Sequence, residues 1–414
     1  MSSRSSAFAV LEHRNFRNFL ISRFFTTFTM MMMSVAVGWQ VYALTHSKLA
    51  LGIVGLVQFV PAFLLTLPGG LAADRYERKK VILFGVSMEL IVALAMLAIT
   101  LSPQPSVGMI FAVLTLVGAG RAFLAPASQS FLPLLVPQED FVRAVAWNSS
   151  IFQAATIAGP AVGGLLYALS PVYVYGCAAG CLLVSSVLIA GLDVQAKPGK
   201  TSTRLADLFT GVKYVFSRQA ILGAVSLDLF AVLFGGATAL LPVYASDILH
   251  TGPWGLGLLR SAPAVGAAIV ALVLAHHPIK EHAGVKLFTC VGLFGLCTIV
   301  FGLSTSFFLS LGALAVLGAA DMFSVVIRQT LVQIATPDSM RGRVSAVNML
   351  FIGASNELGE FESGVTAAWF GTVPSVVVGG LGTLAVVAIW AWRFPVLRKM
   401  DHLDAHSPAA TRPN

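Results

Sequence analysis

The chain reads as an all-α membrane protein with twelve transmembrane helices in two pseudo-symmetric six-helix halves. Three observations predict this. Of its 414 residues, 57% are hydrophobic and 11% charged, less than half the charge of about 25% that a soluble chain carries. The apolar residues gather into about twelve runs of roughly 20 residues, the length of a helix that crosses a bilayer. The second half of the chain also repeats residues of the first in register. Strands of a membrane barrel would be half as long and would alternate apolar with polar positions.

Taken in order, the runs lie at about 18–43, 49–72, 80–101, 108–132, 145–169, 172–193, 219–244, 254–275, 285–304, 306–331, 344–369 and 372–395. The first begins only after Arg14 and Arg17 and is too long for the apolar core of a cleavable signal peptide. Between the second and third stands Gly69-Gly70-Leu71-Ala72-Ala73-Asp74-Arg75-Tyr76-Glu77-Arg78-Lys79-Lys80, with six ionisable residues in its last seven positions. A tight basic turn between two bilayer-length runs reads as a short cytoplasmic hairpin. With that turn inside, Lys48 alone of the 26 basic residues falls in an outer loop. Both termini are therefore expected in the cytoplasm.

The connection at 194–218 carries Lys197, Lys200, Arg204, Lys213 and Arg218. Its Leu205-to-Phe216 part has the pattern of an amphipathic helix lying at the inner interface. The expected organisation is an N-terminal six-helix bundle over 1–193, a cytoplasmic linker over 194–218, a C-terminal six-helix bundle over 219–398, and a disordered tail over 399–414 that holds Pro408 and Pro413. Cys177, Cys181, Cys290 and Cys297 all sit inside apolar runs and read as small packing residues. The net charge of +8 follows loop sidedness, so nucleic acid is not an expected partner. There is no nucleotide-binding Gly-x-x-x-x-Gly-Lys-Ser/Thr loop and no zinc spacing of Cys or His. His276, His277 and His282 read as solvated loop residues. The chain is expected to be no enzyme, to use no cofactor or metal, and not to run on ATP.

The repeat is visible residue by residue. Val41-Tyr42-Ala43 returns as Val243-Tyr244-Ala245, 202 residues later, and the same offset pairs Gly55 with Gly257 and Pro61 with Pro263. Further on the offset is 200, pairing Gly118 with Gly318, Pro137 with Pro337, Arg143 with Arg343, Asn148 with Asn348, Gly159 with Gly359 and Gly164 with Gly364. Two tandem halves of six helices follow from it.

The order Gly-x-x-x-Asp-Arg-x-x-Arg-Lys-Lys in the basic turn resembles the signature loop between helices 2 and 3 of major facilitator superfamily transporters, with Glu77 where that signature usually has a second Gly. Four further stretches narrow the resemblance: Trp39 to Ser47, Pro126 to Pro133, Gly159-Pro160-Ala161-Val162-Gly163-Gly164, and Thr336 to Val344. Together they are similar to the branch holding the enterobactin exporter and macrolide efflux proteins. The resemblance implies the major facilitator fold and alternating access, with Gly70, Asp74, Arg75 and Arg78 as a conformational gate. Gly159, Pro160, Gly163 and Gly164 resemble the end of the helix 5 motif of antiporters, which makes them gate residues too; the alternative is a plain packing kink.

Charges at bilayer depth cost a few kcal/mol each, so every one is a functional candidate. Arg23 on helix 1, Arg121 on helix 4, Asp228 on helix 7, and Asp321 and Arg328 on helix 10 qualify. The resemblance places helices 1, 4, 7 and 10 around a central substrate cavity, to which Gln40 is added near the outer side. The repeat sets Arg121 against Asp321, and Asp321 and Arg328 stand two turns apart on one face. Satisfied structural ion pairs are the alternative for each.

Glu357, Glu360 and Glu362 share one run without a basic neighbour, and Glu357 and Glu360 share a face. A carboxylate that alternates between dry and wet surroundings takes up and releases a proton. Glu357, Glu360 and Asp228 are thus the proton-coupling candidates, with arginines from other helices as the alternative; Glu89 reads as packing or pairing. The expected function is proton-antiport export of an amphiphilic small molecule, a siderophore or a drug, from the bacterial inner membrane. Its expected partners are the cargo, protons and the lipid bilayer, and its expected state is a monomer. Uptake or exchange of a metabolite on the same fold is the first alternative, and a sensor that moves nothing is the second.

Overall fold

The computed structural model describes residues 9–194, 205–277, 279 and 281–401. Among these, every regular element is helical. Two compact units result: unit 1 comprises Met1–Thr45, Val57–Thr203 and Gly252–Ser261, and unit 2 comprises His46–Leu56, Arg204–Thr251 and Ala262–Asn414.

Unit 1 is built on α1 (Arg14–Thr45), α3 (Arg78–Leu101), α4 (Val107–Phe131), α5 (Phe141–Leu169) and α6 (Pro171–Ala190), with the part of α2 (Lys48–Arg75) after Val57. Helix α1 packs on α5 and α6, and α3 packs on α4 and α6. Lipid is as apolar as Leu, so association of such helices depends on close van der Waals approach, which small residues permit. The α5 stretch supplies it: a Cβ on Gly159 would stand 2.6 Å from the Met31 Cβ, and one on Gly163 2.7 Å from the Met32 carbonyl. Gly118 on α4 likewise lets the Gln58 carbonyl of α2 press against it.

Unit 2 contains α7 (Leu205–Ser217), α8 (Gln219–Phe234), α9 (Leu241–Val243), the part of α10 (Gly252–His276) after Ser261, α11 (Ala283–Leu303), α12 (Phe307–Ile334), α13 (Asp338–Phe370), α14 (Thr372–Arg393) and α15 (Pro395–Arg398). Helix α11 packs on α12 and α14, while α13 and α14 pack on α8. Gly359 on α13 faces the Leu233 carbonyl of α8, where a Cβ would stand at 2.9 Å, and Gly318 on α12 faces Pro263 of α10. These contacts are the repeat counterparts of Gly159 with Met31 and of Gly118 with the α2 backbone.

The run expected as one helix over 219–244 is interrupted, and this corrects the sequence reading. Helix α8 ends at Phe234, then Gly235 and Gly236 lead into a 3₁₀ turn (Ala237–Leu240), α9, and a π turn (Tyr244–Ile248). Two adjacent glycines weaken a helix, and here they also admit close neighbours: a Cβ on Gly236 would lie 2.9 Å from the Ser363 Oγ. The chain ends this passage at His250 with φ 52°, and α1 ends at His46 with φ 49°. Left-handed residues commonly close helices, and His is among the non-glycine types enriched there.

The expected linker helix is α7. It docks on unit 2 through Gly211, which faces the Arg343 carbonyl, and through Tyr214, whose Oη donates to the Ala335 carbonyl at 3.0 Å. Residues 195–204 of the linker lie outside the described residues. At the other end, the Met400 and Asp401 carbonyls accept from the Gly284 and Ala283 amides at 2.8 and 3.1 Å, which satisfies the start of α11. Residues 402–414, and with them most of the expected tail, lie outside the described residues.

Large apolar side chains face outward, including Phe308 at 81% and Trp392 at 80% exposure, a surface suited to lipid rather than water. Eleven helical stretches among the described residues are long and apolar enough to cross a bilayer. Helix α13 has the length, at 33 residues, but its acids and arginines dilute its apolar content.

Candidate functional site

The charges predicted from the sequence fall into separate groups, and the densest is inside unit 2. Arg328 on α12 is 3% exposed, and its Nη1 is ion-paired with the Asp228 Oδ1 on α8. A buried cation requires such a partner, because an uncompensated charge at this depth is strongly unfavourable. Asp321 lies two turns before Arg328 on α12 and makes no hydrogen bond or ion pair among the described residues. It lines a recess of about 10 Å³ with Asp228, Ala231, Val232, Val291, Phe294 and Ser324, room for about one water. The break in α8 begins just beyond this recess, and Gly235 there packs against Phe294.

On α13, Glu360 sits beside Gly55, whose added Cβ would stand 3.2 Å from the Glu360 Oε2 and 3.1 Å from the Glu357 carbonyl. Gly364 meets Gly52 backbone to backbone on the same side, with a Cβ at 2.6 Å from the Gly52 Cα. His46–Leu56 belongs to unit 2. The counterpart in unit 1 is Gly164 against Gly257, at 2.8 Å for the equivalent Cβ, with the Pro160 carbonyl also turned to Gly257.

In unit 1, Arg121 on α4 acts electrostatically on Glu89 of α3, which is 4% exposed. Arg23 on α1 is half-buried; its Nε has no hydrogen-bond partner, and no acid pairs with its guanidinium among the described residues. Gln40 has both ends of its amide engaged. Its Oε1 accepts from the Tyr175 Oη at 2.6 Å, and its Nε2 donates to the Thr100 Oγ1 at 3.1 Å. It thereby ties α1 to α3 and α6.

The basic turn joins α2 to α3 across Tyr76 and Glu77. Asp74 is half-buried and Arg75 exposed. A Cβ on Gly70 would meet nothing within 4 Å. Glu77 pairs with Lys80 at 3.0 Å, and the Lys79 Nζ donates to the Leu192 carbonyl at 2.5 Å. The buried Arg78 Nε has no hydrogen-bond partner. A second polar cluster binds the start of α1 to that of α5: His13 contacts the Asp140 Oδ2 at 3.3 Å, and Arg143 donates to the Asp140 Oδ1 at 2.9 Å.

Sequence reasoning named Asp228, Asp321 and Arg328 but not the pairing between Asp228 and Arg328. Spacing put Asp321 and Arg328 on one face without choosing a partner for Arg328, and the packing of α8 against α12 supplies Asp228. It also missed Ser324, Val291 and Phe294, which look like ordinary members of apolar runs. The Gly235-Gly236 pair was the available signal for the break.

A family model described as transmembrane secretion effector matches residues 5–413. The enterobactin exporter EntS of Citrobacter koseri is 28% identical over 381 residues, covering 90% of each chain. That of Escherichia coli strain K12 is 27% identical over 406 residues, covering 96% of this chain and 95% of its own. Among solved structures, an inward-facing, occupied bacterial homologue of the human lysosomal transporter Spinster superposes with a TM-score of 0.74 at 13% identity, covering 95% of this chain and 98% of its own. The nucleoside transporter NupG gives 0.68 at 14% identity, covering 92% and 99%. At these identities the structural likeness is one of fold.

Proposed function

We propose, on the ground that the chain belongs to the transmembrane secretion effector family, that it exports an amphiphilic small molecule, a siderophore or a drug, in exchange for protons. The chain is a multi-pass membrane transporter of the major facilitator superfamily that moves small molecules across the bilayer. In the proposal, α13 is the twelfth span, and the spans form two halves of six that alternate access to the cargo. The termini lie in the cytoplasm, and the protein works as a monomer.

The observation that carries the reading is the Asp228–Arg328 pair within membrane-spanning helices. A buried pair is weak evidence for stability, since apolar residues of like volume serve as well or better. Charges kept at bilayer depth mark substrate or proton paths. Arg23 supports a cargo with anionic or acceptor oxygens, because no acid among the described residues pairs with it. Relatives named as enterobactin exporters support outward movement of such a molecule. Glu357, Glu360 and Asp228 are the proposed proton carriers. Gly70, Asp74, Arg75 and Arg78, with Gly159, Pro160, Gly163 and Gly164, are the proposed gate.

The test is a bacterial strain stripped of its own exporters and supplied with this chain. Enterobactin and a panel of macrolides and dyes are loaded, and retention is measured. Expression should lower retention of at least one of them, and a protonophore should reverse the effect. Increased retention on expression would mean uptake and would contradict export.

A further inference from the structure

We infer that Asp321 and the recess it shares with Asp228 form a proton-binding site in which Arg328 serves two acids in turn. The inference rests on the proton-coupled reading and deepens it by naming the acid and its counter-charge. Two carboxylates line the recess, Asp228 and Asp321, and the one guanidinium beside it, that of Arg328, is engaged by Asp228, so the group is one positive charge short when both acids are ionised. The recess, at about 10 Å³, has room for about one water and so favours a small charge. A proton on Asp321 fits that space and balances the group.

The surroundings restrict what else reaches the acid. From α8, Asp228 faces the recess with Ala231 and Val232; from α11, only Val291 and Phe294 do; from α12 itself, Ser324 joins Asp321. Arg328 is two turns along α12 and is engaged by Asp228. No further charged side chain lines the recess among the described residues. Asp321 is therefore the acid whose protonation leaves every other charge in the group paired. The Ser324 hydroxyl can donate to either form of the carboxyl.

The adjoining break in α8 supplies a means of change. An interrupted span at membrane depth is tolerated where it is buried in protein or lines a cavity, and such interruptions recur at the binding sites of transporters. Movement of α8 about Gly235 and Gly236 would carry Asp228 relative to Arg328 while α12 keeps Asp321 and Arg328 together. In the cycle, an O–H bond forms on Asp321 as one breaks in the entering hydronium, leaving neutral Asp321 beside the Asp228–Arg328 pair. When movement of α8 carries Asp228 away from Arg328 and into water, which then solvates its charge, Arg328 turns towards Asp321. The O–H bond on Asp321 breaks, the proton passes to water as hydronium, and Asp321 becomes the paired anion.

The site is tested without any cargo. The purified full-length protein is placed in lipid nanodiscs, and infrared difference spectra are recorded on stepping from alkaline to acid pH. Carboxylic C=O intensity should appear, and one component of it should be lost in Asp321→Asn, shift in frequency in Asp321→Glu and Ser324→Ala, and persist in Glu89→Gln and Glu362→Gln. A C=O difference spectrum left unchanged by Asp321→Asn overturns the inference, as does a wild-type protein with no band. A band abolished by sodium at fixed acid pH assigns the site to a metal cation and also overturns it. Wild-type protein that shows the band yet transports without regard to a pH gradient contradicts the coupled-export reading and leaves the site standing. Gradient-driven transport retained by Asp321→Asn does the reverse.

Discussion

Arg328 reaches from α12 to Asp228 on α8 rather than back along its own helix to Asp321. One cation thus joins two elements of unit 2, and a second acid is left beside it. Asp228→Asn removes the counter-ion and leaves the guanidinium dry. Breaking such a pair costs about 3–5 kcal/mol, so thermal unfolding in detergent should shift down strongly. Asp228→Asn combined with Arg328→Gln should regain most of that stability, since no lone charge remains, yet should not regain transport.

Helix crossings through glycine give a prediction with an internal control. Gly159→Ala puts a methyl 2.6 Å from the Met31 Cβ and 2.8 Å from the Phe28 carbonyl. Overpacking of this kind costs about 1–3 kcal/mol, and the melting temperature of Gly159→Ala should fall. Gly312→Ala meets nothing within 4 Å, and its melting temperature should hold or rise slightly.

These crossings also show how far the fold was legible. Bilayer-length apolar runs predict the helices because composition over 20 residues is a local property. The repeat predicts more, since Gly159 against Met31 and Gly359 against Leu233 are one contact made twice. What stayed hidden depends on tertiary choice. Nothing in the spacing says whether Arg328 takes Asp228 or Asp321, or that Glu89 lies in the field of Arg121. The end of α8 at Phe234 was legible in Gly235-Gly236 but outweighed by the apolar residues on both sides. Gln40, read as a cavity residue from its polarity and position, spends both ends of its amide on Thr100 and Tyr175.

That use of Gln40 separates packing from binding. Gln40→Ala leaves the fully buried Tyr175 hydroxyl without its acceptor, at a cost of about 1–3 kcal/mol. The variant should melt earlier than wild type. Its transport rate per folded molecule, measured in vesicles, should stay within about a factor of two of wild type, well under the tenfold change that 1.4 kcal/mol represents.

Asp74→Asn should insert and fold normally, because the residue is half-buried at the end of α2. As a gate residue it should nonetheless lose most transport. Efflux from whole cells, normalised to membrane-inserted protein, checks this; undiminished efflux would remove Asp74 from the gate.

Proton coupling is the central claim, and reconstituted vesicles with an imposed pH gradient test it most directly. The cargo is enterobactin, or whichever member of the panel the cells export. Wild-type protein should concentrate it against its gradient only while the pH gradient lasts, and a protonophore should collapse the accumulation. Among Glu357→Gln, Glu360→Gln, Asp228→Asn and Asp321→Asn, at least one should abolish accumulation while still exchanging cargo downhill. Accumulation that ignores the pH gradient, or that survives undiminished in all four variants, would contradict the account.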